Sequence, residues 1–195
     1  MNRPRLLVLT DRTQCDRPLA DVVAAAVDGG ARGVVLREKD LPDDERDRLA
    51  EQLLTVLAPV GGLLVRAGAA GAAGASAVHL AGNDPFPRPR PALVGRSCHS
   101  RQEVAAARVE ACDYVMISPV FPTASKPGYG PALGAAGLAA LIAGAPRAYA
   151  LGGVRPADVG SCLAAGAYGV AVMGPIMRTP GTVPAYLDAL LEAAA

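Results

Sequence analysis

Two kinds of hydrophobic pattern alternate along this chain. Short runs of four to six mostly apolar residues, rich in Val, Leu and Ile, predict buried β-strands, and longer stretches with apolar residues three or four positions apart predict amphipathic helices. The predicted strands cover residues 5–10, 33–38, 62–66, 77–80, 92–97, 113–117, 147–151 and 169–173. The predicted helices cover residues 19–28, 42–57, 101–110, 137–142, 156–165 and 183–194.

The order of these elements indicates a fold. Strands separated by helices pair in parallel through right-handed crossovers, and eight of them without a long interruption favour a closed (β/α)₈ TIM barrel formed as one domain by residues 1–195. The links at 67–76 and 83–91 look too short or too proline-rich for full helices, so we expect some shortened helices. An open, doubly wound sheet is the alternative.

Composition narrows the possible functions. The chain has 195 residues, 51% hydrophobic, and a net charge of +1, which suits one compact domain. Its basic residues are dispersed and aromatic residues make up only 4%, so we expect no nucleic-acid partner. No apolar run is long enough to cross a membrane, and the N-terminus lacks a signal cleavage site, so we expect a cytoplasmic location. The four cysteines show no CxxC spacing and are expected to be free thiols.

Lysine is nearly absent: the chain has two lysines and seventeen arginines. Both lysines, Lys39 and Lys126, follow strand-like runs, which indicates sites that need a compact, flexible ammonium group. In a TIM barrel the loops after the strands build the active site. The residues expected there are Asp11, Arg12, Arg37, Glu38, Lys39, Arg66, His79, Asp84, Ser97, His99, Ser118, Thr123, Ser125, Lys126, Gly152, Gly153, Met173 and Gly174. This mixture of cations, hydroxyls and glycines is typical of an anion site.

Two anion sites are predicted within this set. The loops after the seventh and eighth strands contain glycines, which let backbone N–H groups approach a phosphate closely. The residues are Gly152 and Gly153 after the seventh strand and Met173 and Gly174 after the eighth. The alternative is that these glycines only form tight turns. The polar segment 122–130 predicts a diphosphate site, in which Thr123, Ser125 and Lys126 act with Arg37 and Lys39, unless that segment is simply a solvated loop.

Six motifs together resemble those of the thiamine phosphate synthase and TenI family. They are LREKD, AVHLA, GRSCHS, DYVMISPVFPTASKPG, ALGGV and GVAVMG, in the family's order and over nearly the whole chain. The resemblance implies a (β/α)₈ barrel that joins hydroxymethylpyrimidine diphosphate to a thiazole phosphate and releases diphosphate, with Mg²⁺ assisting its departure. An enzyme that catalyses this reaction has to stabilise the negative charge on the leaving group, and it needs no nucleophilic side chain.

The same resemblance assigns roles to individual residues. Arg37, Lys39 and Lys126 would stabilise the leaving diphosphate as the catalytic group. The substrates would also be bound by Ser97, Thr123, Ser125, Gly152, Gly153, Met173 and Gly174. Arg66 and His79 are further substrate-binding candidates because they lie at predicted strand ends. Asp84 is the metal ligand that the motif retains. The partners implied are phosphorylated small molecules, and a homodimer is possible.

Departures from the family pattern keep other functions open. Val35 replaces a glutamine, and Leu64 and Val65 replace Asn-Asp, so the pyrimidine amide and one Mg²⁺ carboxylate are missing. A TenI-like thiazole tautomerase is one alternative, although Pro119 occupies the position of its catalytic histidine. Its proton shuttle would then be His99, His79 or Glu38. A second alternative is a non-catalytic paralogue that binds thiazole phosphate or thiamine phosphate. A Schiff-base aldolase that uses Lys39 or Lys126 is a more distant alternative.

Overall fold

The strands form a closed parallel barrel. The computed structural model describes residues 3–68, 76–123 and 131–193. Within them the strands are β1 (Leu6–Leu9), β2 (Gly33–Leu36), β3 (Leu63–Ala67), β4 (Ala77–Leu80), β5 (Leu93–Cys98), β6 (Tyr114–Ile117), β7 (Arg147–Leu151) and β8 (Gly169–Val172). They pair in chain order, and β1 also pairs with β8. The predicted TIM barrel is confirmed, and the open sheet is excluded.

The helices surround this barrel. They are α1 (Leu19–Asp28), α2 (Asp43–Leu57), α3 (Arg101–Val109), α4 (Gly134–Ile142), α5 (Val159–Ala164), α6 (Gly174–Arg178) and α7 (Val183–Glu192). Residues 83–91 contain no helix, as expected for a proline-rich link. The pattern did not predict α6, because its five residues are too few to show a helical period. The described helices include none that is both long and apolar enough to span a bilayer.

Side chains alternate between two apolar layers. The inner layer fills the barrel with residues such as Leu7, Val35, Val65 and Tyr114, while their chain neighbours pack between strands and helices. This alternation decides which residues at the strand ends can face the mouth. The cysteines are free, and three of them are buried in the outer layer or beside it.

Tyrosines close the amino-terminal end of the barrel. The Tyr149 hydroxyl donates to the Pro4 carbonyl oxygen at 2.7 Å, and the Tyr168 hydroxyl donates to that of Arg3 at 2.6 Å. The Arg3 guanidinium pairs in turn with Asp113 at 3.1 Å. Because aromatic rings and the N-terminal segment fill this end, the opposite, carboxyl end is the one open to a ligand.

Candidate active site

His79 lies on the inner face of the rim, between two hydroxyl groups. Its Nε2 is 2.9 Å from Ser97 Oγ, and its Nδ1 is 3.2 Å from the Tyr114 hydroxyl. Burial lowers the pKa of His79 to about 3, and the charges of Lys39 and Arg37 add to the effect. The imidazole is therefore neutral near pH 7.

The tautomer of His79 follows from its partners. Burial raises the pKa of Tyr114, so its phenol stays protonated and can donate to Nδ1. Nε2 then carries the ring proton and donates to Ser97 Oγ. This arrangement leaves the Ser97 hydroxyl proton available to an anionic ligand, which is the role the sequence predicts for Ser97.

Arg37 connects the β2 end of the rim with the β8 end. Its backbone N–H donates to Thr10 Oγ1 at 2.9 Å, which fixes the start of the loop after β2. Its guanidinium Nη1 lies 3.2 Å from Met173 Sδ, just beyond β8. The sequence assigned Arg37 to the diphosphate and Met173 to the thiazole phosphate. The structure brings these two predicted sites into contact.

Lys39 and Asp84 face each other across the mouth. Lys39 Nζ is 4.0 Å from Asp84 Oδ2, and the same carboxylate oxygen accepts the backbone N–H of Ala81 at 2.7 Å. The Lys39 side chain is 46% exposed, so its ammonium remains accessible to a ligand. The retained carboxylate is thus paired with a backbone amide and a lysine.

Arg96 supports the loop that carries Asp84, and the sequence analysis missed it. Its guanidinium Nη1 donates at 2.9 Å to each of the carbonyl oxygens of Ala81, Gly82 and Asp84. A second nitrogen of the group pairs with Glu110 at 2.8 Å. An arginine in the middle of a predicted strand, two residues after Val94 and two before Cys98, was the signal that could have identified it, because charged residues are rarely buried without several partners.

A second ion-pair network fixes the segment after β2. The Glu38 side chain is only 2% exposed and accepts the Arg12 guanidinium at 3.1 Å. Arg12 also binds Asp40 at 2.6 Å and, through this hydrogen bond, lowers the pKa of that carboxyl. A cavity of about 200 Å³ lies beside the network and is lined by Thr10, Asp11, Arg37, Glu38, Lys39 and Asp40.

The glycines after β7 allow two loops to touch. Gly152 and Gly153 have φ values of 94° and 66°, in the left-handed region that favours glycine. The backbone N–H groups of Val120 and Phe121 donate at 2.9 Å to the carbonyl oxygens of Leu151 and Gly152, respectively. These contacts place the segment leading to Thr123 directly beside the β7 loop.

Gly174 also has a packing role. It is the first residue of α6, and a Cβ atom there would lie 2.8 Å from both Arg178 Nη1 and Gln14 Oε1. These two side chains are hydrogen-bonded to each other, so Gly174 makes room for their contact. Gly153 is needed for its left-handed φ, and Gly174 is needed for the packing around it. Both positions therefore have a structural reason to be glycine, and phosphate binding by their loops stays a prediction.

Arg66 is not brought to the rim. It pairs with Leu36 and Val78 on the neighbouring strands, both of which lie in the outer layer. Its guanidinium is bonded to Asp47 of α2. Side-chain alternation along β3 therefore directs Arg66 toward the helices and directs Val65 into the barrel.

The loop after β6 is described only in part. Thr123 is its last described residue, and Ser125 and Lys126 lie outside the described residues. Of the predicted diphosphate site, the structure therefore describes Arg37, Lys39, Ser97 and Thr123 and leaves the predictions for Ser125 and Lys126 as they were. His99 lies near this loop, with its Nδ1 2.7 Å from the Ser118 carbonyl oxygen.

Comparison with known proteins identifies the family. The family model described as thiamine monophosphate synthase matches residues 6–176. The chain belongs to this family. All the rim residues considered above lie within the matched range.

Individual relatives agree with this membership. The thiamine-phosphate synthase of Methanoculleus marisnigri is 36% identical over 183 residues, which cover 88% of this chain and 87% of that protein. The thiamine-phosphate synthase of Mycobacterium marinum is 36% identical over 191 residues, which cover 88% of this chain and 87% of that protein. The fold matches thiamine phosphate pyrophosphorylase from Pyrococcus furiosus with a TM-score of 0.86 and 24% identity, covering 100% of this chain and 98% of that one.

The described side chains on this rim do not fit the Mg²⁺ ion that the family resemblance implies. Mg²⁺ takes oxygen ligands in near-octahedral geometry, usually one or two carboxylates with water and substrate phosphates. Within residues 3–68, 76–123 and 131–193 no three His, Cys, Asp or Glu side chains come together, and the one carboxylate that the motif retains, Asp84, is already paired with Lys39 and the Ala81 N–H. Val65, in the position of the missing carboxylate, is fully buried and offers no oxygen.

Proposed function

We propose that this chain joins hydroxymethylpyrimidine diphosphate to a thiazole phosphate and releases diphosphate, forming thiamine phosphate. Membership of the thiamine monophosphate synthase family supports the reaction class. The observation that carries the proposal is the contact between Arg37 and Met173, because it joins the two predicted phosphate sites on one rim.

Arg37, Lys39 and Ser97 would hold the diphosphate of the first substrate. The carbon–oxygen bond between the pyrimidine methylene and the diphosphate breaks, and its electron pair goes to the departing oxygen. A guanidinium, an ammonium and a hydroxyl proton stabilise the charge that develops there. Ser125 and Lys126, as the sequence predicts, would add a hydroxyl and a second ammonium.

The loops after β7 and β8 would hold the thiazole phosphate. Backbone N–H groups of Gly152 and Gly153 on one side and of Met173 and Gly174 on the other would bind that phosphate. The thiazole nitrogen then forms the new bond to the methylene carbon. Catalysis rests on holding the two reactants together, because the nucleophile belongs to the substrate.

The environments of His79 and Glu38 disfavour two of the three proton shuttles that the tautomerase alternative offers. A proton shuttle works best when its pKa is near the operating pH, whereas burial lowers the pKa of His79 to about 3. Glu38, another shuttle candidate, is buried against Arg12. Both groups are therefore poorly suited to moving a proton on a thiazole ring.

The test is incubation with both synthase substrates, with and without Mg²⁺, followed by measurement of thiamine phosphate and diphosphate. We expect equal amounts of the two products, and we expect Lys39→Met to reduce the rate at least tenfold. Arg48→Met is the control, because Arg48 lies on the exposed face of α2. Binding of thiazole phosphate without product under either condition would overturn the proposal in favour of a binding paralogue.

The same proposal covers the ligands, the cellular location and the oligomeric state of the enzyme. We expect phosphorylated small molecules as its ligands, a cytoplasmic location and a homodimer. Cell fractionation and light scattering of the purified chain check the last two. Recovery outside the cytoplasm or a monomeric mass would contradict them.

A further inference from the structure

We propose that the diphosphate is bound and released here without a divalent cation, with Lys39 and Arg37 supplying the positive charge. This inference rests on the proposed function and concerns how the same rim handles its leaving group. It follows from three features: the carboxylates near the mouth are already paired, two valines replace polar groups, and Lys39 lies beside the retained aspartate.

The described carboxylates around the mouth are each engaged by protein groups. Asp11 accepts the Thr13 hydroxyl at 2.6 Å and the Gln14 amide at 2.7 Å. Glu38 and Asp40 are both bound by Arg12. A metal ion would have to displace these partners, and at Glu38 it would break the ion pair of a buried carboxylate with Arg12.

Val35 and Val65 stand where the family pattern has an amide and a carboxylate, and both are part of the inner core layer. They are paired in register on β2 and β3, and neither is exposed to solvent. A hydrated Mg²⁺ ion gains nothing from such a surface, because it keeps its water unless oxygen ligands replace it. Both side chains are packed inside the barrel and offer no oxygen ligand to a cation in the mouth.

Lys39 occupies the side of the mouth next to the retained Asp84. Its ammonium lies 4.0 Å from the carboxylate, whose position is fixed by the Ala81 N–H and, through the loop carbonyls, by Arg96. An ammonium carries one positive charge and donates three hydrogen bonds. Together with the Arg37 guanidinium it provides two positive charges, the same charge as one Mg²⁺ ion, without requiring a second carboxylate.

The chemical step is balanced without a metal. The methylene carbon loses its bond to the diphosphate oxygen and gains one to the thiazole nitrogen. The electron pair of the broken bond remains on the diphosphate, where the two cationic side chains neutralise it. No oxidant, reductant or further proton is required.

The experiment measures binding of inorganic diphosphate to the full chain by calorimetry, in EDTA and in Mg²⁺, with correction for the magnesium–diphosphate complex in solution. We expect affinities within about twofold in the two conditions and a loss of at least about tenfold in Lys39→Met. Turnover measured in EDTA is expected to stay within about twofold of that in Mg²⁺. Arg48→Met, on the exposed face of α2, is the control and is expected to bind as the unaltered chain does.

Two outcomes would overturn the inference, and they differ in meaning. If Mg²⁺ tightens diphosphate binding tenfold or more and Asp84→Asn removes that gain, a metal site exists and only this inference fails. If diphosphate does not bind in either condition, the proposed function fails with it. Mn²⁺ provides a further measurement: we expect its electron spin resonance spectrum with chain and diphosphate to match that of Mn²⁺ with diphosphate alone, and a spectrum that the chain alters would overturn the inference.

Discussion

A Cβ atom on Gly153 would lie only 2.3 Å from the carbonyl oxygen of Pro122. The backbones of the loops after β6 and β7 therefore touch at this point, and a residue other than glycine would force them apart. Because φ of Gly153 is 66°, a side chain would also strain the backbone itself. The paired glycines thus position the segment that leads to Thr123, whatever ligand their amides bind.

Gly153→Ala should lower the free energy of unfolding by about 2–3 kcal/mol, because the new Cβ meets backbone that cannot easily move. Urea denaturation followed by circular dichroism measures the change. Gly160→Ala is the matched control: Gly160 lies in α5, and a Cβ there would meet nothing within 4 Å. We expect that variant to be unchanged or about 0.5–1 kcal/mol more stable, and equal effects of the two substitutions would contradict the role of Gly153.

Arg96→Met should destabilise the fold by about 2–3 kcal/mol, since it removes a buried guanidinium that binds three loop carbonyls. Diphosphate affinity should fall as well, because the loop carrying Asp84 loses its support. Denaturation midpoints and calorimetry measure the two effects. Arg48→Met removes an exposed pair with Asp44 and should cost less than about 1 kcal/mol; a similar loss in both variants would count against the role of Arg96.

The stability of the chain should depend on pH through His79. Burial lowers its pKa to about 3 from an ordinary value of 6.5, so the unfolded chain binds a proton that the folded chain does not. The contribution of His79 is present above pH 6.5 and is lost progressively as the pH falls toward 3. Between pH 6.5 and 5 the slope should approach about 1.4 kcal/mol per pH unit.

The histidine contribution is isolated by comparing His79→Gln with the unaltered chain across this range. All other ionisable groups are the same in the two proteins, so the difference in their unfolding free energies reports His79. We expect that difference to shrink as the pH falls. A constant difference from pH 6.5 to 5 would show that His79 is not held neutral.

Arg37→Lys should raise the KM for the pyrimidine diphosphate about tenfold, or about 1.4 kcal/mol, because an ammonium cannot bind in the forked geometry of a guanidinium. The Arg37→Lys variant also loses the contact between the guanidinium and Met173 Sδ that connects the end of β2 with the end of β8. Steady-state kinetics with each substrate varied in turn measures the effect. Arg48→Lys, on the exposed face of α2, should leave both KM values unchanged, and an unaltered KM in Arg37→Lys would remove Arg37 from the diphosphate site.

The sequence by itself determined the architecture. Strand and helix positions follow from apolar spacing, which is a local property, and the predicted strand bounds differ from the observed ones by at most two residues. The same pattern identified which strand ends carry Arg37, Lys39, His79 and Ser97. It did not reveal α6, since one and a half turns contain no repeat to detect.

Only the tertiary structure decided which of these side chains meet. The inward direction of Val65 and the outward direction of Arg66 depend on the phase of β3 in the closed barrel, which one more or one fewer residue would reverse. The contacts of Lys39 with Asp84 and of Arg37 with Met173 join strands far apart in the chain. Such pairs are set by barrel closure and loop packing, and no local pattern encodes them.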